Sequence, residues 1–280
     1  MSTADVRRAA VLGSPIRHSR SPDLHLAAYR ALGLASWTYE RIECTAEQLP
    51  GVVGGAGPEW VGFSVTMPGK FAALEFASSA TERARSIGSA NTLVHTGEGW
   101  LADNTDVDGV LGALRGASID PGGKPAVIVG AGGTARPALV ALVAMGVQSL
   151  TVVARDAGRA QGVVELAEQL GLPVSVLGFD DAALSSVCRS SGVLVSTVPA
   201  DAVAPYAQWL AAAPAILDVI YHPWPTELAA VAQHRGAVVV GGLEMLLNQA
   251  FTQVELFTGQ AAPRAAMAAV LRWHSSSERA

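Results

Sequence analysis

Between the apolar run Ala126–Val129 and an uncharged apolar segment, Ala138–Met145, lie Gly130, Ala131, Gly132, Gly133, Thr134 and Ala135. The spacing fits G-x-G-x-x-A, and the chemistry it offers is anion binding. Gly130 can turn sharply out of a strand. Gly132 has no side chain, so a pyrophosphate can approach the backbone, and Ala135 lets the following helix pack close. A glycine triplet alone is a weak signal, because many are ordinary turns. Here a strand precedes the loop and a helix follows it, the context a dinucleotide site requires. The next strand, Leu150–Val153, selects the dinucleotide. An NAD site usually carries an acid at its end, for the ribose 2′-hydroxyl. This chain has Ala154, then Arg155, with Arg159 one helical turn on. Guanidinium groups suit a 2′-phosphate and therefore NADP. Asp156 comes one residue too late for the usual acid, and the competing reading makes both arginines solvated helix-start charges.

Other chemical groups have two readings each. Ser19 and Ser21 precede a helix, where hydroxyls can hold a carboxylate or simply cap. Lys70 falls in a first helical turn, where a cation opposes the helix dipole; it is either a surface lysine or a functional one. Asp106 opens an apolar helix as a cap or as a partner for a cation. Gln249 and Gln253, one turn apart, form an outer polar face or reach a pocket. Thr197 and Tyr221 follow strands, at the ends where ligands lie in open α/β sheets. Asp103, Asp106 and Asp108 lack partner ligands at fitting spacing, so no metal site is expected. Cys44 and Cys188 read as buried thiols.

The elements that must position these groups alternate. Strands are expected at 8–12, 37–43, 60–65, 92–95, 100–102, 126–129, 150–153, 173–177, 192–196, 215–219 and 237–240. Helices are expected at 23–32, 45–53, from Pro68 through Phe76, 107–114, 138–145, 180–188, 227–234, 242–257 and from Pro263 to about Trp273. Such alternation predicts an α/β protein with a doubly wound parallel sheet.

The 280 residues suffice for two domains. Half are hydrophobic and 15% are charged, which favours a well-buried protein over disorder. A net charge of −5 offers no footprint for nucleic acid. The N-terminus lacks the apolar core of a signal peptide, and the most apolar region is broken by glycines, Arg136 and Pro137. No membrane role and a cytoplasmic location are expected.

Taken together, GSPIRHSRSP, SVTMPGK, SANTL, ADNTD, GAGGTA, Tyr221-His222-Pro223 and GGLEMLLNQA resemble, in order and spacing, the shikimate dehydrogenase family. The likeness covers about residues 8–272 and is greatest to actinobacterial members. It implies two domains: an N-terminal α/β substrate domain (1–106) and a Rossmann-type doubly wound parallel sheet for NADP (107–240). Residues 241–280 would be helices returning to the first domain. The expected site is a cleft between the domains. The resemblance places Ser19 and Ser21, with Tyr221, at the shikimate carboxylate. It places Thr66, Lys70, Asn91, Asp106 and Gln249 around the ring hydroxyls, with Lys70 and Asp106 as the catalytic pair. Gly130 to Ala135, Arg155 and Arg159 match its NADP site, and Thr197 and Gly241 its nicotinamide contacts. Three positions depart from its pattern. Ser64 replaces a frequent asparagine, Ser89-Ala90 a commoner Ala-Val, and Ala154 an asparagine beside the 2′-phosphate arginine.

The implied reaction is reversible NADPH-dependent reduction of 3-dehydroshikimate to shikimate, a step of chorismate and aromatic amino acid biosynthesis. The implied partner is this small molecule, bound by a monomer or homodimer. A quinate/shikimate or an aminoshikimate dehydrogenase shares the fold and the Lys/Asp pair. A non-catalytic NADP-binding sensor would keep the glycine loop and lose the substrate residues, yet Lys70 and Asp106 are both present.

Overall fold

The computed structural model describes the backbone of residues 6–277 and the side chains of residues 6–271. The first five residues, part of the stretch read as lacking a leader, lie outside them. The chain divides into two units, Met1–Thr105 with Gln249–Ala280, and Asp106–Asn248.

The first unit opens with β1 (Arg7–Gly13), α1 (Ser21–Ala31), β2 (Trp37–Glu43), α2 (Leu49–Gly54) and β3 (Trp60–Val65). It continues with α3 (Lys70–Phe76), β4 (Ser79–Ala80), α4 (Glu82–Ile87), β5 (Thr92–Thr96) and β6 (Gly99–Asp103). The strands form one sheet in the order β2-β1-β3-β5-β6-β4. It is mixed: β1 is parallel to β2 and β3, while β5 runs antiparallel to β3 and β6. Leu12, Phe63, Leu93 and Trp100 pack with Leu49 and Val53 into its core.

Helix α2 starts at Leu49, not Thr45, because the Gln48 side chain accepts the Thr45 N–H in a turn of its own. Helix α4 has little apolar surface and was not foreseen. Its ends define it: Thr81 caps the Ala84 N–H, and Gly88, at φ +74°, closes it in the left-handed conformation.

The second unit begins with α5 (Asp106–Gly116), β7 (Pro125–Val129), α6 (Ala135–Ala144), β8 (Ser149–Val153), α7 (Ala157–Gln169) and β9 (Val174–Leu177). It proceeds through α8 (Leu184–Ser190), β10 (Val193–Ser196), α9 (Ala200–Val203), α10 (Ala207–Leu210), β11 (Ala215–Asp218), α11 (Glu227–His234) and β12 (Val238–Gly241). Its sheet, β12-β11-β10-β7-β8-β9, is parallel throughout. This is the doubly wound order, reversing between β7 and β10. Val127, Ile128 and Val129 are fully buried, as strands covered on both faces must be. Helix α8 starts four residues later than the sequence suggests, because the Asp181 carboxylate accepts the Ala183 N–H in a turn.

Helices α12 (Gly242–Thr258) and α13 (Arg264–Ser277) end the described chain. The division between the units falls inside α12, after Asn248. Among the described residues, no helix is long and apolar enough to cross a membrane.

Candidate active site

In the first unit two of the sequence-predicted residues, Asn91 and Gln249, meet in a buried polar cluster. Asn91, just ahead of β5, is at its centre. Its Oδ1 accepts the Thr105 N–H at 2.7 Å and the Thr92 hydroxyl at 2.8 Å. Its Nδ2 donates to Gln249 Oε1 at 2.8 Å. The carbonyl of Lys70 accepts the Ala90 N–H, so the first turn of α3 is tied to the residue before Asn91. Thr66 is anchored through its N–H to the Leu12 carbonyl, and its own carbonyl accepts the Gly69 N–H.

Gln253 settles which way the polar side of α12 faces. It is buried, donating to Thr92 Oγ1 at 2.9 Å and the Asn91 carbonyl at 3.3 Å, and accepting from Ser64 at 2.8 Å. Both glutamines therefore point inward to Asn91 and its neighbours, and the outer-face reading fails.

Ser19 and Ser21 are buried at the start of α1. The N-cap position belongs to Arg20, whose side chain makes no cap hydrogen bond, so neither serine is the formal cap. The Ser19 hydroxyl donates to Ser21 Oγ at 3.2 Å, and Arg41 Nε fixes the loop by donating to the Ser19 carbonyl at 2.8 Å.

Asp103 ends β6 and holds the segment behind it. It accepts two hydrogen bonds from Arg83, each 2.6 Å, one from Thr81 and one from the Asn104 N–H. Burial opposes ionisation of this carboxyl, but the Arg83 and Thr81 hydrogen bonds outweigh it and hold the pKa below the ordinary value. A carboxylate so fully used by Arg83 and Thr81 is committed to structure.

The second unit carries the remaining candidates. Asp106, the first residue of α5, is 2% exposed. The glycine loop fits a dinucleotide. Gly130 has φ +103°, and an added Cβ would lie 2.5 Å from Val198 and 2.7 Å from Thr197 Oγ1. A Cβ on Gly132 would meet nothing within 4 Å, which leaves the approach to its backbone open. Ala131, Gly133 and Thr134 complete the loop, and the fully buried Ala135 starts α6. Thr197 donates from both its N–H and its hydroxyl to the Val129 carbonyl, each at 2.9 Å, so it sits beside Gly130.

Arg155 and Arg159 are exposed at the start of α7. Asp156 is that helix's N-cap, its carboxylate accepting the Gly158 N–H at 2.8 Å. The cap engages one oxygen of the Asp156 carboxylate. Tyr221 lies half-buried in the loop after β11. Asp218 braces that loop by accepting the Thr226 hydroxyl at 2.6 Å and the Ile220 N–H at 3.2 Å. Gly241 ends β12 beneath Trp224, whose ring would lie 3.0 Å from an added Cβ.

Sequence reasoning missed Tyr39 and the Arg83–Asp103 pair. One sign of Tyr39 was available: Ser64 is a polar residue in an otherwise buried strand, and Tyr39 donates to it at 2.6 Å.

Residues 11–93 match the shikimate dehydrogenase substrate binding domain, and residues 242–272 the shikimate 5'-dehydrogenase C-terminal domain. The crystal structure of Mycobacterium tuberculosis shikimate dehydrogenase superposes with a TM-score of 0.90 at 57% identity, covering 95% of this chain and 99% of that one. A shikimate 5-dehydrogenase from Mycobacterium fortuitum gives 0.86 at 60% identity, covering 95% and 97%. The shikimate dehydrogenase (NADP(+)) of an Anaeromyxobacter species is 37% identical over 97% of this chain and 98% of its own.

Proposed function

The chain belongs to the shikimate dehydrogenase family, and we propose that it catalyses the reversible reduction of 3-dehydroshikimate to shikimate with NADPH. The observation that carries this reading is the Asn91 cluster. It gathers Asn91, Gln249, Thr92 and Thr105 around one buried amide, with Lys70 tied to it through Ala90. A ring bearing several hydroxyls needs such a set of fixed donors and acceptors. Unpaired polar groups in a dry site are costly, and that is how a poorly matched ligand is rejected.

The bound dinucleotide supplies the hydride. The open backbone at Gly132 and the first turn of α6 suit its pyrophosphate. Arg155 and Arg159 suit the 2′-phosphate, and Thr197 and Gly241 suit the nicotinamide end. Ser19 and Ser21, with Tyr221, hold the substrate carboxylate. Thr66, Asn91 and Gln249 orient the ring. The Lys70 ammonium polarises the carbonyl and gives a proton to the oxygen as its negative charge grows. Asp106, a buried acid at the start of α5, favours the charged lysine. The reaction takes place in the cytoplasm, where the free, buried thiols Cys44 and Cys188 are at home, in a monomer or homodimer.

The test is an assay of purified protein with shikimate and with quinate, each with NADP and with NAD. Turnover greatest with shikimate and NADP supports the reading. Turnover greatest with quinate, or none with any pair, refutes it.

A further inference from the structure

Residues 219–226 join β11 to α11, and one side chain closes the two ends of this loop. Asp218 is fully buried and accepts the Ile220 N–H at 3.2 Å and the Thr226 hydroxyl at 2.6 Å. Thr226 in turn caps α11 by accepting the Ala229 N–H at 3.1 Å. The Val219 N–H donates to the Ser196 carbonyl at the end of β10. Between these anchors, residues 222–225 are exposed.

The loop grips the end of β12 twice. The Gly242 N–H donates to the Ile220 carbonyl at 3.2 Å, and a Cβ on Gly242 would collide with the Val219 carbonyl. Trp224 then seats its ring on Gly241. A Cβ there would lie 3.0 Å from two carbons of the indole and 3.3 Å from a third. The side chains that the two glycines lack would occupy the space the loop fills. Pro223 and Pro225 flank Trp224, and each fixes its own φ. The seat of the indole therefore constrains the backbone on both sides of it, including Tyr221 three residues before. The indole is 41% exposed and stands at the carboxyl edge of the sheet, where ligands of open α/β folds lie.

Resting on the roles proposed for Tyr221 and Gly241, we propose that Trp224 is a positioning residue of the active site. Seated on Gly241, its indole holds Tyr221 at a fixed place relative to the strand end that meets the nicotinamide. The substrate carboxylate and the reacting end of the cofactor are then set against each other by one side chain. Hydride transfer is sensitive to that placement, since an error of about 1 Å can cost on the order of 10² in rate. The other end of the cofactor is out of reach. Arg155 follows β8, four strands along the sheet from β12, or about 19 Å.

The test compares Trp224→Ala, which empties the seat, with Trp224→Phe, which keeps an aromatic ring in it. Steady-state kinetics with shikimate and NADP are read for both. So is calorimetry with 2′,5′-ADP, which carries the 2′-phosphate and no nicotinamide. Trp224→Ala should raise the shikimate Michaelis constant about tenfold and lower kcat about tenfold, with 2′,5′-ADP bound as by the parent. Trp224→Phe should recover most of both losses. A Trp224 that only stabilises the loop would leave both kinetic constants of the folded enzyme unchanged, and a general disturbance would weaken 2′,5′-ADP as well; either result overturns the proposal. Tyr221→Phe and the double variant separate it from the reading on which it rests. In the Tyr221→Phe background, Trp224→Ala should raise the shikimate Michaelis constant much less than in the parent, because that effect passes through Tyr221. Additive losses would overturn the positioning role and leave the carboxylate role of Tyr221 intact. A Tyr221→Phe enzyme with the parent's Michaelis constant would instead remove Tyr221 from the carboxylate, and the proposal would fall with it.

Discussion

Asn91 Nδ2 donates to Gln249 Oε1 over 2.8 Å, joining residues 158 positions apart in the chain. The same amide accepts from Thr105 and Thr92, so a single side chain sets the geometry of two segments and a helix. Asn91→Ala would orphan several buried groups, at a cost on the order of 2–4 kcal/mol. Asn91→Asp is the sharper probe. It keeps the shape but turns the donor facing Gln249 into an acceptor. We expect its Michaelis constant for shikimate to rise at least about tenfold, measured by steady-state kinetics. Equal kinetics for Asn91→Asp and the parent would remove Asn91 from the substrate site.

His25 makes stability depend on pH. Its ring is fully buried against Tyr39, and burial lowers its pKa to about 3, with only a weak opposing hydrogen bond to Gln253. Gln253 Oε1 accepts, so Nε2 carries the proton, while Nδ1 is buried without a partner. The unfolded chain binds a proton near the ordinary value of 6.5, and the folded chain does not until about pH 3. Stability from this group is therefore complete above about pH 6.5 and falls as pH drops toward 3. The slope is about 1.4 kcal/mol per pH unit. Urea melts between pH 5 and 7 should show it, and His25→Phe should lose that slope. A variant as acid-sensitive as the parent would mean that other groups set the acid response.

The fold was largely legible where one signal dominated. Strands β2 and β3 and helix α11 fall at the bounds their sequence patterns predict, because apolar spacing and flanking turn residues agree there. The glycine loop was legible because its chemistry is local. Helix α4 was not, since Glu82–Ile87 buries only Ala84 and Ile87 and is held by its caps. Pairings across the chain left no local trace. Arg83 reaches Asp103 and Tyr39 reaches Ser64 only because the strands bring them together. For the same reason spacing could not decide whether Gln249 and Gln253 faced in or out.

Arg155 should decide cofactor preference. It stands exposed at the end of β8, and Asp156 is occupied as the cap of α7. Arg155→Ala should weaken NADPH on the order of tenfold or more and leave NADH nearly unaffected, since only the 2′-phosphate distinguishes them. Fluorescence titration with both cofactors measures this. Equal losses would show that the guanidinium does not meet the 2′-phosphate.

Lys70 should separate catalysis from binding. It is the first residue of α3, behind Gly69, and no acidic residue shares its first turn. A cation there opposes the helix dipole by a few tenths of a kcal/mol. In the transition state, however, negative charge grows on the carbonyl oxygen, and a positioned ammonium is worth most at that moment. Lys70→Ala should therefore lose roughly 10²–10⁴ in kcat, the range of a positioned acid. Shikimate should still bind within a few-fold through Ser19, Ser21 and Asn91. Kinetics and calorimetry on one preparation test both. A near-normal kcat with a much higher Michaelis constant would make Lys70 a binding residue, and the proton would then come from Asp106, Tyr221 or water.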